Sequence, residues 1–139
     1  MKDSERAEQG LAVRRAVLGD DHVDRALAGA TPFTAPFQDL ITRYAWGDIW
    51  SRPGLTRAER SIVTLTALAV LRQEEELAMH VAAALRNGLT PEQIQEVLLQ
   101  VAVYAPGVAV SGVTVSLPFV RPPPIRTLSA YPPPAPSPG

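Results

Sequence analysis

The chain has 139 residues, 13 basic and 14 acidic side chains and a net charge of −1. That length predicts one domain with a real core, and the near-neutral balance offers no basic field for nucleic acid and no polybasic patch for a membrane. Cysteine is absent, which removes disulfides, thiolate nucleophiles, iron–sulfur clusters and CxxC redox chemistry. Only His22 and His80 carry imidazole, and they are not at ligand spacing, so no metal site is expected. The charged start, Met1 to Arg6, leads into no apolar h-region. The longest apolar-rich stretch, Ile62 to Leu71, is too short to span a bilayer, so a cytoplasmic protein is expected.

The first predicted helix runs from Ser4 to Leu18 and stops at Gly19. Asp20 or Asp21 caps a short helix that ends near Gly29. Thr31-Pro32-Phe33-Thr34 is a turn, and a third helix begins near Pro36. Its Phe37, Leu40, Ile41, Tyr44 and Ala45 follow the i, i+3, i+4, i+7, i+8 pattern of a core-facing stripe, although Gly47 weakens the helix. Ser51 to Gly54 is a turn. Thr56-Arg57-Ala58-Glu59 has the form of a capping box and opens a helix that is apolar on most sides to about Leu71. Such a helix belongs in the centre of the fold, in a subunit interface, or in both.

The next helix spans about Gln73 to Asn87, with Gly88 at C′. Glu74, Glu75 and Glu76 in its first turn complement the helix dipole, which is a sufficient structural reason for them. Thr90-Pro91-Glu92-Gln93 repeats the start signal, and the last clear helix reaches Tyr104. From Pro106 onward lie 10 of the 14 prolines and two charges, Arg121 and Arg126. The expected organisation is an all-α domain of about six helices over 1–105, a divergent segment over 106–120, and an irregular proline-rich tail over 121–139. That tail reads either as an adventitious disordered end or as a ligand for an aromatic-lined groove.

Several runs resemble the carboxymuconolactone decarboxylase family, in its protocatechuate branch. They are Gly10 to Arg15 with Val17-Leu18-Gly19-Asp20, the run Phe37 to Leu55 containing Tyr44-Ala45-Trp46-Gly47 and Arg52-Pro53-Gly54-Leu55, Glu74 to Leu77 with His80, and Ile94 to Tyr104. The resemblance covers roughly two thirds of the chain. It implies an alkylhydroperoxidase D-like helical fold assembling into trimers or hexamers. It also implies decarboxylation of 4-carboxymuconolactone, a lactone bearing two carboxylates, to 3-oxoadipate enol-lactone in aromatic catabolism. The thiol branch of that superfamily has a CxxC ahead of its histidine. Gln73 and Glu76 occupy those positions here, so its disulfide chemistry is excluded.

Electrons released with carbon dioxide can pass through the ring double bond to the lactone carbonyl, so no cofactor is expected. The protein must hold the retained carboxylate, stabilise an oxyanion and return a proton. His80 is the candidate proton donor. Glu76, four residues earlier on the same helix face, is expected to orient the ring and raise its pKa. The opposing reading is a helix pair kept for stability. His22 sits in an acidic segment and reads as solvated. Arg43, Arg52, Arg60 and Arg72 are the candidate carboxylate partners, or else surface or subunit ion pairs. Tyr44, Trp46 and Trp50 can wall the pocket or simply pack.

Two departures from the family pattern stand out. Gln100 occupies a position where relatives often carry histidine. After Tyr104-Ala105 the family's glycine–proline turn and final amphipathic helix are replaced, either by a genuine divergent end or by a shifted reading frame. A catalytically silent, oligomeric binding protein is therefore the alternative to the enzyme.

Overall fold

The computed structural model describes residues 2–105, which are helical apart from short turns. The elements are α1 (Asp3–Leu18), α2 (Asp20–Ala28), α3 (Ala35–Ile41) with a π-helical continuation (Thr42–Trp50), α4 (Arg57–Val70), α5 (Glu74–Arg86) and α6 (Pro91–Tyr104). The segments expected to diverge, 106–120 and 121–139, lie outside the described residues. Among the described residues no helix is long and apolar enough to cross a membrane.

The capping boxes at Thr56 and Thr90 operate as read, whereas Asp20 and Asp21, expected to cap the second helix, lie inside its first turn behind Gly19, with no side-chain cap. Glu59 N–H donates to Thr56 Oγ1 at 3.2 Å while Thr56 N–H donates to Glu59 Oε2 at 2.7 Å. The Thr90/Gln93 box closes in the same way, at 3.1 and 2.9 Å. Gly19, at φ 87°, stops α1 and lets the chain turn at once into α2. Each of these satisfies backbone groups that a helix end would otherwise leave unpaired.

Two apolar clusters form the core. Leu65 and Ala69 of α4, Leu77, Val81 and Ala84 of α5, and Ile94 and Val101 of α6 make one. Val13, Val17, Leu18, Val23, Trp46 and Ala83 make the other, between α1, α2, the π segment and α5. Helix α5 contributes to both clusters, so it, rather than the more apolar α4, is the central helix. In α4 only Ser61, Leu65 and Ala69 are buried, and Ile62, Val63 and Val70 remain exposed.

The crossing of α1 over the π segment sets the geometry of that half. A Cβ on Gly10 would lie 2.0 Å from the Thr42 carbonyl oxygen, and one on Gly47 would lie 2.6 Å from the Arg6 carbonyl oxygen. Both glycines are therefore contact points between helix backbones. Gly47, read from sequence as a weakness, is where the partner helix sits. Serine and threonine hydroxyls mark the two ends of the widened segment: Thr42 Oγ1 donates to the Gln38 carbonyl at 2.8 Å, and Ser51 Oγ to the Gly47 carbonyl. Such back-bonding to the carbonyl four residues earlier bends helices.

This crossing also corrects the expected stripe of the third helix. Phe37, Leu40 and Tyr44 are more than half exposed, and only Ile41 and Ala45 reach the core. The α-helical period assumed for the stripe ends at Ile41. Beyond it the wider turns shift the register, and the glycine contact decides which side meets α1.

Gly10→Ala and Gly47→Ala should each destabilise the fold by about 2–3 kcal/mol through overpacking against backbone. Gly54→Ala, whose Cβ would meet nothing within 4 Å, should be near neutral. Thermal or urea unfolding of the three variants measures this.

Candidate active site

His80 lies on α5 with its side chain facing the second core. It is 9% exposed, and its Nδ1 has no hydrogen-bond partner. The imidazole stacks on Trp50 at a centroid distance of 6.3 Å and an interplanar angle of 18°. Trp50 in turn stacks on buried Trp46 at 5.1 Å. The π segment thus delivers an indole floor beneath the histidine, and that floor excludes water from one face of the ring.

Burial lowers the His80 pKa below its ordinary 6.5. Glu76, exposed one turn earlier, pushes the other way, and His22 adds to the lowering. The sequence expectation that Glu76 raises the pKa is right for that one interaction and wrong for the net effect. Desolvation of a ring on an indole face outweighs an exposed carboxylate that makes no hydrogen bond to it.

The candidate arginines do not converge. Arg43 is taken by Asp39, with Nε donating to Oδ2 at 3.0 Å. Arg52 is exposed, and its carbonyl accepts from Arg60 Nη2 at 2.9 Å. Arg72 is exposed in the α4–α5 turn with a left-handed φ of 55°. Arg60 shares a pocket with Trp50, together with Ile49, Leu55, Val63 and Thr64, and its Nε is buried without a partner among the described residues. Tyr44 is 60% exposed, away from the indole stack's buried side.

Sequence reading missed two groups: His22, which acts on His80, and Arg14, which acts on His22. His22, taken as solvated, is half-buried. Its pKa is lowered by burial first, then by the positive charges of Arg14 and Arg25 and, more weakly, of Arg86, against the opposing charge of Glu76. Arg14 is 5% exposed and hydrogen-bonds only neutral groups: Thr42 Oγ1 at 3.2 Å and Gln38 Oε1 at 2.8 Å. A signal for it existed, because Arg14 lies three residues after Leu11 and four before Leu18, on the apolar side of α1. Arg86 donates to the Val17 carbonyl at 3.2 Å and packs against Gly19. Arg14, Arg25 and Arg86 thus act on His22 against the opposing charge of Glu76, and His22 in turn acts on His80. Such an imidazole pair suits an anionic ligand. Among the described residues no group of three His, Asp or Glu side chains is placed to hold a metal ion.

A helical domain with an imidazole on an indole stack defines the class. The carboxymuconolactone decarboxylase family model matches residues 35–113, more than half of the chain, and the protein belongs to that family. Over 105 residues it is 47% identical to a 4-carboxymuconolactone decarboxylase of Acinetobacter baylyi, covering 76% of this chain and 78% of the relative. It is 46% identical over 97 residues to a nitrosuccinic acid decarboxylase of Metarhizium robertsii, covering 70% of this chain and 68% of the relative. It is also 52% identical over 48 residues to a 4-carboxymuconolactone decarboxylase sequence of Pseudomonas putida, covering 34% of this chain and all of that sequence.

Both imidazoles should titrate below 6.5 in the folded protein, and Glu76→Gln should move the His80 midpoint lower still. The unfolded chain then binds protons first as the pH falls through 6.5. Stability contributed by the neutral rings is present above that value and lost on acidification towards the folded midpoints. Imidazole proton NMR and urea unfolding from pH 7.5 to 5 check both; a His80 midpoint above 6.5 contradicts the account.

Proposed function

We propose that the protein is a cofactor-independent carbon–carbon lyase that converts 4-carboxymuconolactone to 3-oxoadipate enol-lactone. The observation that carries this is the 47% identity to a 4-carboxymuconolactone decarboxylase over 76% of the chain. The site supports it in chemical terms. A dianionic substrate suits an imidazole pair, His22 and His80, whose first member feels the positive charges of Arg14, Arg25 and Arg86.

His80 gains basicity when two substrate carboxylates arrive, because nearby negative charge favours imidazolium. The ring can then take up a solvent proton. The bond to the departing carboxylate breaks, carbon dioxide leaves, and the electron pair moves through the ring double bond to the lactone carbonyl. His80 delivers its proton to the ring carbon next to that carbonyl. One proton is consumed per turnover, which balances the loss of a carboxylate. Glu76 modulates the imidazole. Trp50 and Trp46 keep water from the ring face, and Arg60, across Trp50, is the best placed of the four sequence candidates to meet the oxyanion.

The 46% relative that acts on nitrosuccinic acid favours a second reading of the substrate. That acid also carries two carboxylates, with a nitro group able to accept the electrons at the carbon that loses carbon dioxide. The protein acts in the cytoplasm as a homo-oligomer in this reading. Ile62, Val63 and Val70 of α4 and Leu99, Val103 and Tyr104 of α6 supply exposed apolar surface for subunit contacts.

An ultraviolet assay with enzymatically prepared 4-carboxymuconolactone should show turnover. His80→Ala should lower kcat by roughly 100- to 10,000-fold, the range for loss of a general acid. No turnover by folded wild-type protein would sink the enzyme reading; turnover of 2-nitrosuccinate alone would move the substrate to the second reading. Light scattering after size exclusion should give a trimer or hexamer, and Val63→Asp should reduce it. A wild-type monomer contradicts the oligomer.

A further inference from the structure

Arg14 is the most deeply buried arginine of the described chain, at 5% exposure, yet no carboxylate lies within ion-pair distance of it among the described residues. Arg6, Arg15 and Arg43, all more exposed, each have one: Asp48, Asp24 and Asp39, at 3.0 Å or less. Arginine cannot shed its proton in a protein, so the charge persists. Its partners, Gln38 Oε1 and Thr42 Oγ1, are neutral, and its Nε has no acceptor. A buried cation without an anion is costly to keep.

The two neutral partners lead outward. Gln38 and Thr42 line a cleft of about 470 Å³ between α1, α2 and α3, whose other walls include Ala7, Leu11, Leu27 and Ala30. That size and apolar character fit a small organic ligand. Glu8 and Asp39 also line the cleft, and the latter is neutralised by Arg43. On the inner side, Arg14 acts electrostatically on His22, and His22 on His80.

We propose that Arg14, which lies behind Gln38 and Thr42 and not in the cleft wall itself, is the substrate-binding residue that pairs with the retained carboxylate of the dicarboxylate, reached from this cleft past those two side chains. The retained carboxylate is the better partner than the departing one. A cation on the departing group would be strongest in the ground state and would weaken as the charge leaves it, which slows the reaction. A fork-shaped guanidinium holding the group that keeps its charge binds substrate and transition state alike and orients the bond to be broken. The identity of the carboxylate rests on the decarboxylase reading; the anion-binding role of Arg14 does not.

The test compares 4-carboxymuconolactone with the analogue whose acetate arm is a primary amide, on the wild type, Arg14→Met and Arg14→Lys. For the wild type the amide should lower kcat/KM roughly 10- to 100-fold, the worth of a charge-assisted hydrogen bond. Arg14→Met should lose that much on the acid, mostly through KM, and should no longer distinguish acid from amide. Arg14→Lys should keep part of the distinction. Arg14→Met should also melt no lower than the wild type, because it removes an unpaired buried charge. If Arg14→Met keeps the wild-type ratio of acid to amide, the proposal is overturned. The same ratio in Arg14→Lys overturns it if the Met variant does not fold.

Should the wild type turn over neither compound, succinate decides. Thermal protection of the wild type by succinate that is absent in Arg14→Met upholds the anion site while the decarboxylase reading falls. Equal protection of both, or of neither, overturns the site as well.

Discussion

The close approach of α1 to the π segment at Gly10 and Gly47 is the constraint on which the site depends. With backbones in contact there, the Arg14 guanidinium reaches Gln38 and Thr42 on the facing helix. The same crossing seats Trp46 in the second core, and Trp50 follows it, stacked beneath His80. A side chain at either glycine would separate the helices and move the cation and the indole pair together. Nine residues in a widened helix are rare, and such segments recur at functional positions. Here the widening directs Trp46 and Trp50 towards α5 while leaving Tyr44 outward.

The site runs against the stability of the domain in two places. Arg14 is buried without a counter-charge, and His80 is buried with Nδ1 unpaired. Each is unfavourable by itself, and each becomes favourable beside a carboxylate-bearing ligand, which supplies an anion to one and basicity to the other. The cost is carried by the two apolar clusters that meet on α5. A helix anchored on both sides holds His80 in position despite the unsatisfied group.

Much of this was legible from the chain as text. Capping at Thr56 and Thr90 and the glycine stops at Gly19 and Gly88 depend on neighbours a few residues away, and they placed the helices within a residue or two. The electrostatic effect of Glu76 on His80, one turn apart, followed from the helical period, although burial outweighs it. The third helix failed the same logic in part because the period changes at Thr42, which the sequence pattern does not anticipate; Phe37 and Leu40, ahead of that change, are exposed all the same. Of the arginines, Arg43 is held by Asp39, the surface ion pair that the sequence left open, while Arg14, on the irregular apolar side of α1, has no carboxylate within ion-pair distance among the described residues.

Local chemistry therefore determined the number and limits of the helices, the absence of thiol chemistry and the family resemblance, since each rests on residue identity at short spacing. Only the tertiary structure decided the net pKa shift of His80, the half-burial of His22 and the isolation of Arg14. Those properties depend on desolvation and on charges from helices distant in sequence. Arg14 meets Gln38 and Thr42 across 24 and 28 positions, and His80 meets Trp50 across the α4 hairpin, separations at which no periodicity carries information.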